Sequence, residues 1–402
     1  MKTTELLSAF HGSLAQTSLT PMGIVVESAI GATVRTPEGN DYIDLLAGIG
    51  VAAVGHGHPR VLAAIEEQAR RHLHVMVYGE LIQETQVRLA QSLSDLLPDG
   101  LDCVYFTNSG AEAVEGALKL ARKATGRSRL LSFHGGFHGD TLGAVSVGGN
   151  PVYRDPFLPL LPEVDFLRFN DVASLDAIDE RAAAVIVEPV QAEAGVVLPE
   201  PGFLSALRER CTREGAMLIF DEVITGLGRT GTLFALEREQ VVPDVLLLAK
   251  ALGGGLPLGA FISSRRTMRT LAVDPPLGHV TTFGGHPLSC AAGQAALDVI
   301  LEEELPARAA RVGKEFCRML AERLPERCVR EVRHRGLLVG IEMHEASFVP
   351  RFAAECKNEG LIMGWTLHDD RVVRLAPPLV ITEAELDEAS LRMQRAAARA
   401  LA

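Results

Sequence analysis

"AAVIVEPVQAEAGVVLPEPGFLSALRERCTREGAMLIFDE" (183–222) decides the fold. It opens on a short, unbroken apolar run that ends at Glu188 and Pro189. A run without polar alternation suits a strand buried on both faces. "LSALRERCTREG" (204–215) follows with helical spacing, and Gly215 stands where a left-handed residue ends a helix. "MLIFDE" (217–222) is a second apolar run, again closed by carboxylates. Strand, helix, strand is the repeating unit of a parallel sheet with helices packed on its faces.

The same alternation extends in both directions. "VYFT" (104–107), "RLLSF" (129–133) and "DVLLLAK" (244–250) read as further buried strands. "RVLAAIEEQARRHL" (60–73) and "AEAVEGALKLARKAT" (111–125) read as helices. An α/β fold with a mainly parallel sheet is predicted. Toward the start, residues 1 to about 20 suggest a helix with Leu6, Leu7 and Phe10 on one face. "ESAIGATVRTPEGNDYIDLLAG" (27–48) suggests short strands around a turn at Pro37-Glu38-Gly39-Asn40. Toward the end, one long charged helix (301–323), strands at 336–343 and 371–376 and a closing helix (383–402) predict a second, α+β domain. The expected division is an N-terminal segment (1–55) contributing to the small domain, a large domain (56–298) and a C-terminal small domain (299–402).

Composition narrows the function classes. At 47% hydrophobic and 22% charged residues, the chain has the material of a globular protein. A net charge of −12 and only 5% aromatics disfavour nucleic acid and anionic membranes as partners. The six cysteines form no C-x-x-C pair, so no structural zinc site is suggested, and reduced thiols in a cytoplasmic protein are expected. No apolar core follows Met1-Lys2-Thr3, so no signal peptide is expected, and no run of about 18 apolar residues suggests a membrane span.

Ligands of parallel α/β sheets bind beyond the carboxyl ends of the strands. After "VYFT" comes Asn108-Ser109-Gly110-Ala111 and then a helix: an ordinary cap, or a nest of free N–H groups suited to phosphate. After "RLLSF" comes "HGGFHGDTLG" (134–143). His134, His138 and Asp140 lack a third histidine at ligand spacing, and Phe137 in a glycine loop reads better as a ring covering a flat ligand. Asp221 ends a buried strand, which needs a compensating cation, either in a structural ion pair or in a site. Lys250 ends another, either as its first wet residue or as a catalytic amine. "GLGRTG" (226–231) spells a dinucleotide fingerprint, but Asp221 and Glu222 before it would repel a pyrophosphate, and Pro243 cuts the next helix short. A lysine, an aspartate, a phosphate nest and a covering aromatic are the parts of a pyridoxal phosphate site.

At these residues the chain resembles the class III pyridoxal-phosphate-dependent aminotransferases of fold type I, the acetylornithine, ornithine, 4-aminobutyrate and putrescine aminotransferase-like enzymes. The resemblance is carried by "NSGAEAVEGALKLAR" (108–122), "FHGDTLGAVSVGG" (137–149), "VEPVQAEAGV" (187–196), "FDEVITGLGRTG" (220–231), "LAKALGGGLPLGA" (248–260), "TTFGGHPLSCAA" (281–292) and "RLAPPLVIT" (374–382), in the family's order. It implies a small domain built from both chain ends and a homodimer with shared sites. Lys250 would bond covalently to pyridoxal 5'-phosphate. Asp221 would bind its ring nitrogen with His138 behind it, Phe137 and Val223 would cover the ring, and Glu188 would lie nearby. Ser109, Gly110 and Ala111 would hold the phosphate, and Thr282 would reach the phosphate of the neighbouring subunit. Arg374 would bind the α-carboxylate of 2-oxoglutarate or glutamate, and Glu193 would pair with Arg374 when the amine lacks that group.

Three positions depart from the family's pattern. Ile224 stands where many members carry glutamine, and His286 where asparagine is common. Asp140 stands where acetylornithine and ornithine enzymes carry an arginine for a substrate carboxylate, a task an aspartate does not perform. "YRDPFLPLLP" (153–162) also resembles diamine-using members. The resemblance implies transfer of a terminal amino group to 2-oxoglutarate. Another reaction on the same scaffold (racemisation, aminomutation, decarboxylation), a nicotinamide-dependent dehydrogenase and a non-enzymatic binding protein are the alternatives.

Overall fold

The computed structural model describes residues 3–77 and 79–402. Met1 and Lys2, part of the expected first helix, lie outside the described residues. The first helix runs Thr3–Ser13 and buries none of its side chains. Strands β1 (Ser28–Ile30), β2 (Thr33–Arg35) and β3 (Asp41–Asp44) form an antiparallel meander, with the expected turn between β2 and β3.

The large sheet is built from β4 (Cys103–Thr107), β5 (Arg129–Phe133), β6 (Val164–Leu167), β7 (Ala182–Val187), β8 (Met217–Asp221), β9 (Val245–Leu248) and β10 (Gly259–Ser263). Their spatial order is β4-β10-β9-β8-β7-β5-β6. All neighbours are parallel except around β10, which is antiparallel to both β4 and β9. The middle strands β7, β8 and β9 are buried along their whole length. Because β4 and β9 both oppose β10, they point the same way. The loops after β4, β5, β7, β8 and β9 therefore open on one edge.

Helix Phe203–Glu214 lies between β7 and β8 and ends on Gly215 at φ 69°. The single helix expected over 301–323 is instead two, Pro287–Glu302 and Leu305–Arg323. The break is at Glu304, which takes φ 49°. Pro306, in the next helix's first turn, has no N–H with which to continue the first.

The C-terminal part of the chain carries β11 (Val329–Arg335), β12 (Leu338–Met343), β13 (Leu361–Ile362), β14 (Gly364–Trp365) and β15 (Val372–Leu375). β11, β12, β15 and β14 form an antiparallel sheet. β13 pairs in parallel with β3, which joins the two ends of the chain. Ala376 N–H donates to Leu45 C=O at 2.8 Å and Leu379 N–H to Ala53 C=O at 2.7 Å, extending that seam. Among the described residues, no helix is long and apolar enough to cross a membrane.

Candidate active site

β8 and β9 lie side by side with Asp221 opposite Leu247, so Asp221 and Lys250 emerge at the same edge. Both line a cavity of about 390 Å³. Lys250 begins a short 3-10 turn and holds φ 47°, a strained conformation for a residue with a side chain. Burial lowers its pKa from the ordinary lysine value. Asp221 opposes that shift, Arg374 reinforces it, and Glu193 and Glu188 oppose it. The neutral amine, the nucleophilic form, is thereby favoured.

Among the described residues, the buried Asp221 has no lysine or arginine ion-pair partner. Its Oδ2 accepts from His138 Nδ1 at 2.7 Å and its Oδ1 from Val223 N–H at 3.1 Å. Behind it, Ser132 Oγ lies 3.4 Å from His138 Nε2. This chain holds the carboxylate in the cavity wall and leaves it free to accept one more hydrogen. Glu188, at the end of β7, accepts from Phe137 N–H at 2.9 Å and Ala192 N–H at 3.2 Å. It thus ties the Phe137 loop to the turn before Glu193. Desolvation raises its pKa to about 7, against the lowering effect of His138.

Ser109 caps helix Gly110–Thr125, its Oγ accepting from Glu112 N–H at 3.2 Å. Glu112 reaches back to Asn108 N–H at 2.7 Å and Asn108 Nδ2 at 2.8 Å. The N–H groups of Gly110 and Ala111 belong to the first turn, which has no intrahelical acceptors, and both residues line the cavity. Two glycines make this cradle possible. A Cβ on Gly139, at φ 115°, would sit 2.6 Å from Ala111 Cβ. One on Gly259 would strike Ser109 C=O and stand 2.5 Å from Thr107 Oγ1. The first lets the Phe137 loop press on the helix start, and the second lets β10 pass beneath it.

Arg374, on β15, is only 4% exposed. Its Nη1 bonds Glu193 Oε1, while its Nε is buried and, among the described residues, without a partner. The other Glu193 oxygen accepts from Leu367 N–H at 3.0 Å. An arginine with an unspent donor, held by a carboxylate on the cavity wall, is suited to exchange that carboxylate for another.

Val223 and Phe137 line the cavity, but Thr282, Asp140 and Arg374 do not, and Arg374 meets its wall through Glu193. Thr282 is exposed, next to Thr281, which accepts from Asn108 Nδ2 at 3.0 Å, and Asp140 is exposed on the rim of a small adjoining hollow with Tyr153 and His368. Ile224 joins Val190, Ala192 and Val196 in a small apolar cluster. His286 caps helix Pro287–Glu302, its Nδ1 accepting from Leu288 N–H at 3.3 Å, which is the service an asparagine would give. His134 is exposed, and among the described residues no cluster is arranged to hold a metal ion.

The "GLGRTG" loop is a brace. Buried Arg229 donates to Leu337 C=O at 3.1 Å and Pro377 C=O at 2.5 Å, fastening this loop to the β11–β12 turn and to the segment after β15. Glu222 beside it caps helix Ala235–Glu239, accepting from Ala235 N–H at 2.6 Å and Leu236 N–H at 2.8 Å. Sequence reasoning missed Val51, Asn108 and Leu256–Leu258 in the wall, and His368 at the rim. Asn108 adjoins a recognised motif and was within reach. Val51 and His368 arrive from remote segments and carry no local signal.

The cavity therefore fits pyridoxal phosphate: an amine of lowered pKa, a buried carboxylate with free acceptor capacity, a helix start with free N–H groups, and an aromatic loop. A sequence profile of the family Aminotransferase class-III matches residues 14–397. The chain is 45% identical over 390 residues to an acetylornithine aminotransferase of Methanopyrus kandleri, covering 97% of each chain. It is 42% identical over 369 residues to an acetylornithine aminotransferase of Methanosarcina acetivorans, covering 90% of this chain and 89% of the other. Its structure is similar to that of an ornithine aminotransferase from Toxoplasma gondii whose active site holds pyridoxal phosphate at partial occupancy. The TM-score is 0.92 at 32% identity, over 100% of this chain and 95% of the other.

Proposed function

Since the chain belongs to the class-III aminotransferases, which depend on pyridoxal phosphate, we propose that it moves the terminal amino group of a short amine to 2-oxoglutarate, giving an aldehyde and glutamate. Ornithine, acetylornithine, 4-aminobutyrate and putrescine are the donors to test. The observation that carries this reading is the buried Glu193–Arg374 pair with Arg374 Nε unspent. With the pair closed, the pocket presents no free cation to a donor whose reacting end lacks a carboxylate. With Glu193 displaced, Arg374 takes the α-carboxylate of 2-oxoglutarate as a bidentate partner. One pocket thus serves two unlike substrates in turn.

Bound pyridoxal phosphate supplies an aldehyde for the amine and a ring that takes up electrons from the adjacent carbon. Lys250 would hold the cofactor covalently and would carry a proton at the substrate carbon. Asp221 would accept a hydrogen bond from the ring nitrogen, with His138 fixing its orientation. Phe137 and Val223 exclude water from the ring faces, and Ser109, Gly110 and Ala111 hold the phosphate.

We also assign Thr282 to the site of a second copy, since on its own chain it is exposed outside the cavity. Large apolar side chains left uncovered on one copy, such as Leu19 at 99% and Ile82 at 93% exposed, support a homodimer. The six unpaired cysteines support a reducing, cytoplasmic setting. Asp140 on the rim offers a donor's far end a carboxylate rather than a cation, which favours donors with a second amine. The test is a donor panel with 2-oxoglutarate, following glutamate. Ornithine or putrescine should lead it, and the absence of glutamate from every terminal amine would refute the proposal.

A further inference from the structure

The turn between β14 and β15 (366–371) has no part in the mechanism above, yet it grips the Glu193–Arg374 pair. Leu367 N–H donates to Glu193 Oε2 at 3.0 Å, and His368 N–H donates to Glu193 C=O at 3.0 Å. The His368 ring then reaches the opposite loop, where its Nδ1–H donates to Gly135 C=O at 2.8 Å. It meets Phe137 in a T-shaped contact with ring centroids 6.0 Å apart, and Tyr153 lies against it at 5.5 Å. The turn is internally closed by Thr366 N–H to Val372 C=O at 3.0 Å and by Arg371 to Asp369 at 2.8 Å. It is therefore a stiff unit. Arg374 follows on β15, so one hairpin bears the arginine and holds its carboxylate partner.

We propose that this turn is the latch of the Glu193–Arg374 switch, with His368 as the positioning residue that clasps it to the ring-covering loop. The inference rests on the reading that Arg374 alternates between Glu193 and a substrate carboxylate. Glu193 leaves Arg374 only by giving up Leu367 N–H as well. His368 sets how firmly that N–H is presented, because its ring is the turn's side-chain anchor on the Gly135–Phe137 loop. The same anchor ties the state of the switch to the loop that covers the cofactor. Burial lowers the pKa of His368, against the Gly135 carbonyl, Glu193 and Asp140 and with His138. The ring is thus neutral near pH 7, and the hydrogen bond to Gly135 places its proton on Nδ1.

The latch gives opposite signs for the two substrates, which a merely structural residue does not. In the holoenzyme, His368→Ala should bind glutarate, a dicarboxylate with no keto group, about three- to tenfold more tightly, because Glu193 is released more easily. The same variant should react with putrescine in a single half-reaction more slowly by a similar factor. His368→Asn keeps a donor for Gly135 and should restore both values toward wild type. Calorimetry reads the first and stopped-flow absorbance the second. Weakening of both substrates together, or no change in either, overturns the latch. If Arg374→Ala leaves glutarate affinity intact, the reading of Arg374 fails instead, and the two failures are distinguishable.

Discussion

Replacing Glu193 with glutamine keeps the size of the side chain and removes its charge. Arg374 then stays buried with its Nε still unpartnered and no anion beside it. Deleting one member of a buried ion pair costs about 3–5 kcal/mol. The glutamine carbonyl can still accept one hydrogen bond, worth about 1.5–3 kcal/mol to a charged donor. Taking the difference as about 2 kcal/mol predicts a thirtyfold effect, at about 1.4 kcal/mol per factor of ten. The cost falls only on states that lack a substrate carboxylate. Glutarate should therefore bind Glu193→Gln holoenzyme about thirtyfold more tightly, while the putrescine half-reaction slows. Equilibrium calorimetry and a single-turnover measurement read the two effects. Unchanged glutarate affinity, or equal loss for both ligands, would refute the reasoning that Glu193 and the substrate compete for one arginine.

Three other outcomes are expected. Lys250→Ala should keep the circular dichroism of the native fold but lose turnover and the borohydride-fixed covalent link to the cofactor; retained transamination would remove Lys250 from its role. Gly259→Ala forces a methyl against Ser109 C=O, and overpacking of this kind costs about 1–3 kcal/mol; a thermal midpoint equal to wild type would show that β10 gives way freely. Buried Glu222 has its pKa raised by desolvation from 4.5 to about 7, so the folded state holds a proton that the unfolded state has already released. Stability should accordingly fall as pH rises from about 4.5 to 7, and Glu222→Gln should flatten that part of the curve measured by thermal melts.

The parts of this fold legible in the sequence are those set by neighbours along the chain. β7, helix Phe203–Glu214 and β8 follow from an apolar run, a helical period and Gly215. Asp221 and Lys250 were found because each closes such a run, and parallel strands deliver such residues to one edge. β10 was not legible. "GAFIS" follows three glycines and a proline, which read as one loop, and its place between β4 and β9 depends on pairings far away in sequence. The helix break at Glu304 was missed because the residues on both sides are charged and helix-forming, and Pro306, the one local sign of it, also suits the first turn of a helix. The ring of contacts that joins His368, Gly135 and Glu193 unites three remote segments. None of its hydrogen bonds to Glu193 uses a side chain of the turn, so residue identity carried no sign of it.

The central claim is that the nitrogen leaves from the end of the donor and arrives on glutamate. Ornithine carrying nitrogen-15 only at its terminal amine, incubated with the holoenzyme and 2-oxoglutarate, tests it directly. Mass spectrometry should find the heavy nitrogen in glutamate while the donor's α-nitrogen stays in the aldehyde product. Unlabelled glutamate from the same donor, with the label retained in the keto product, would contradict the account.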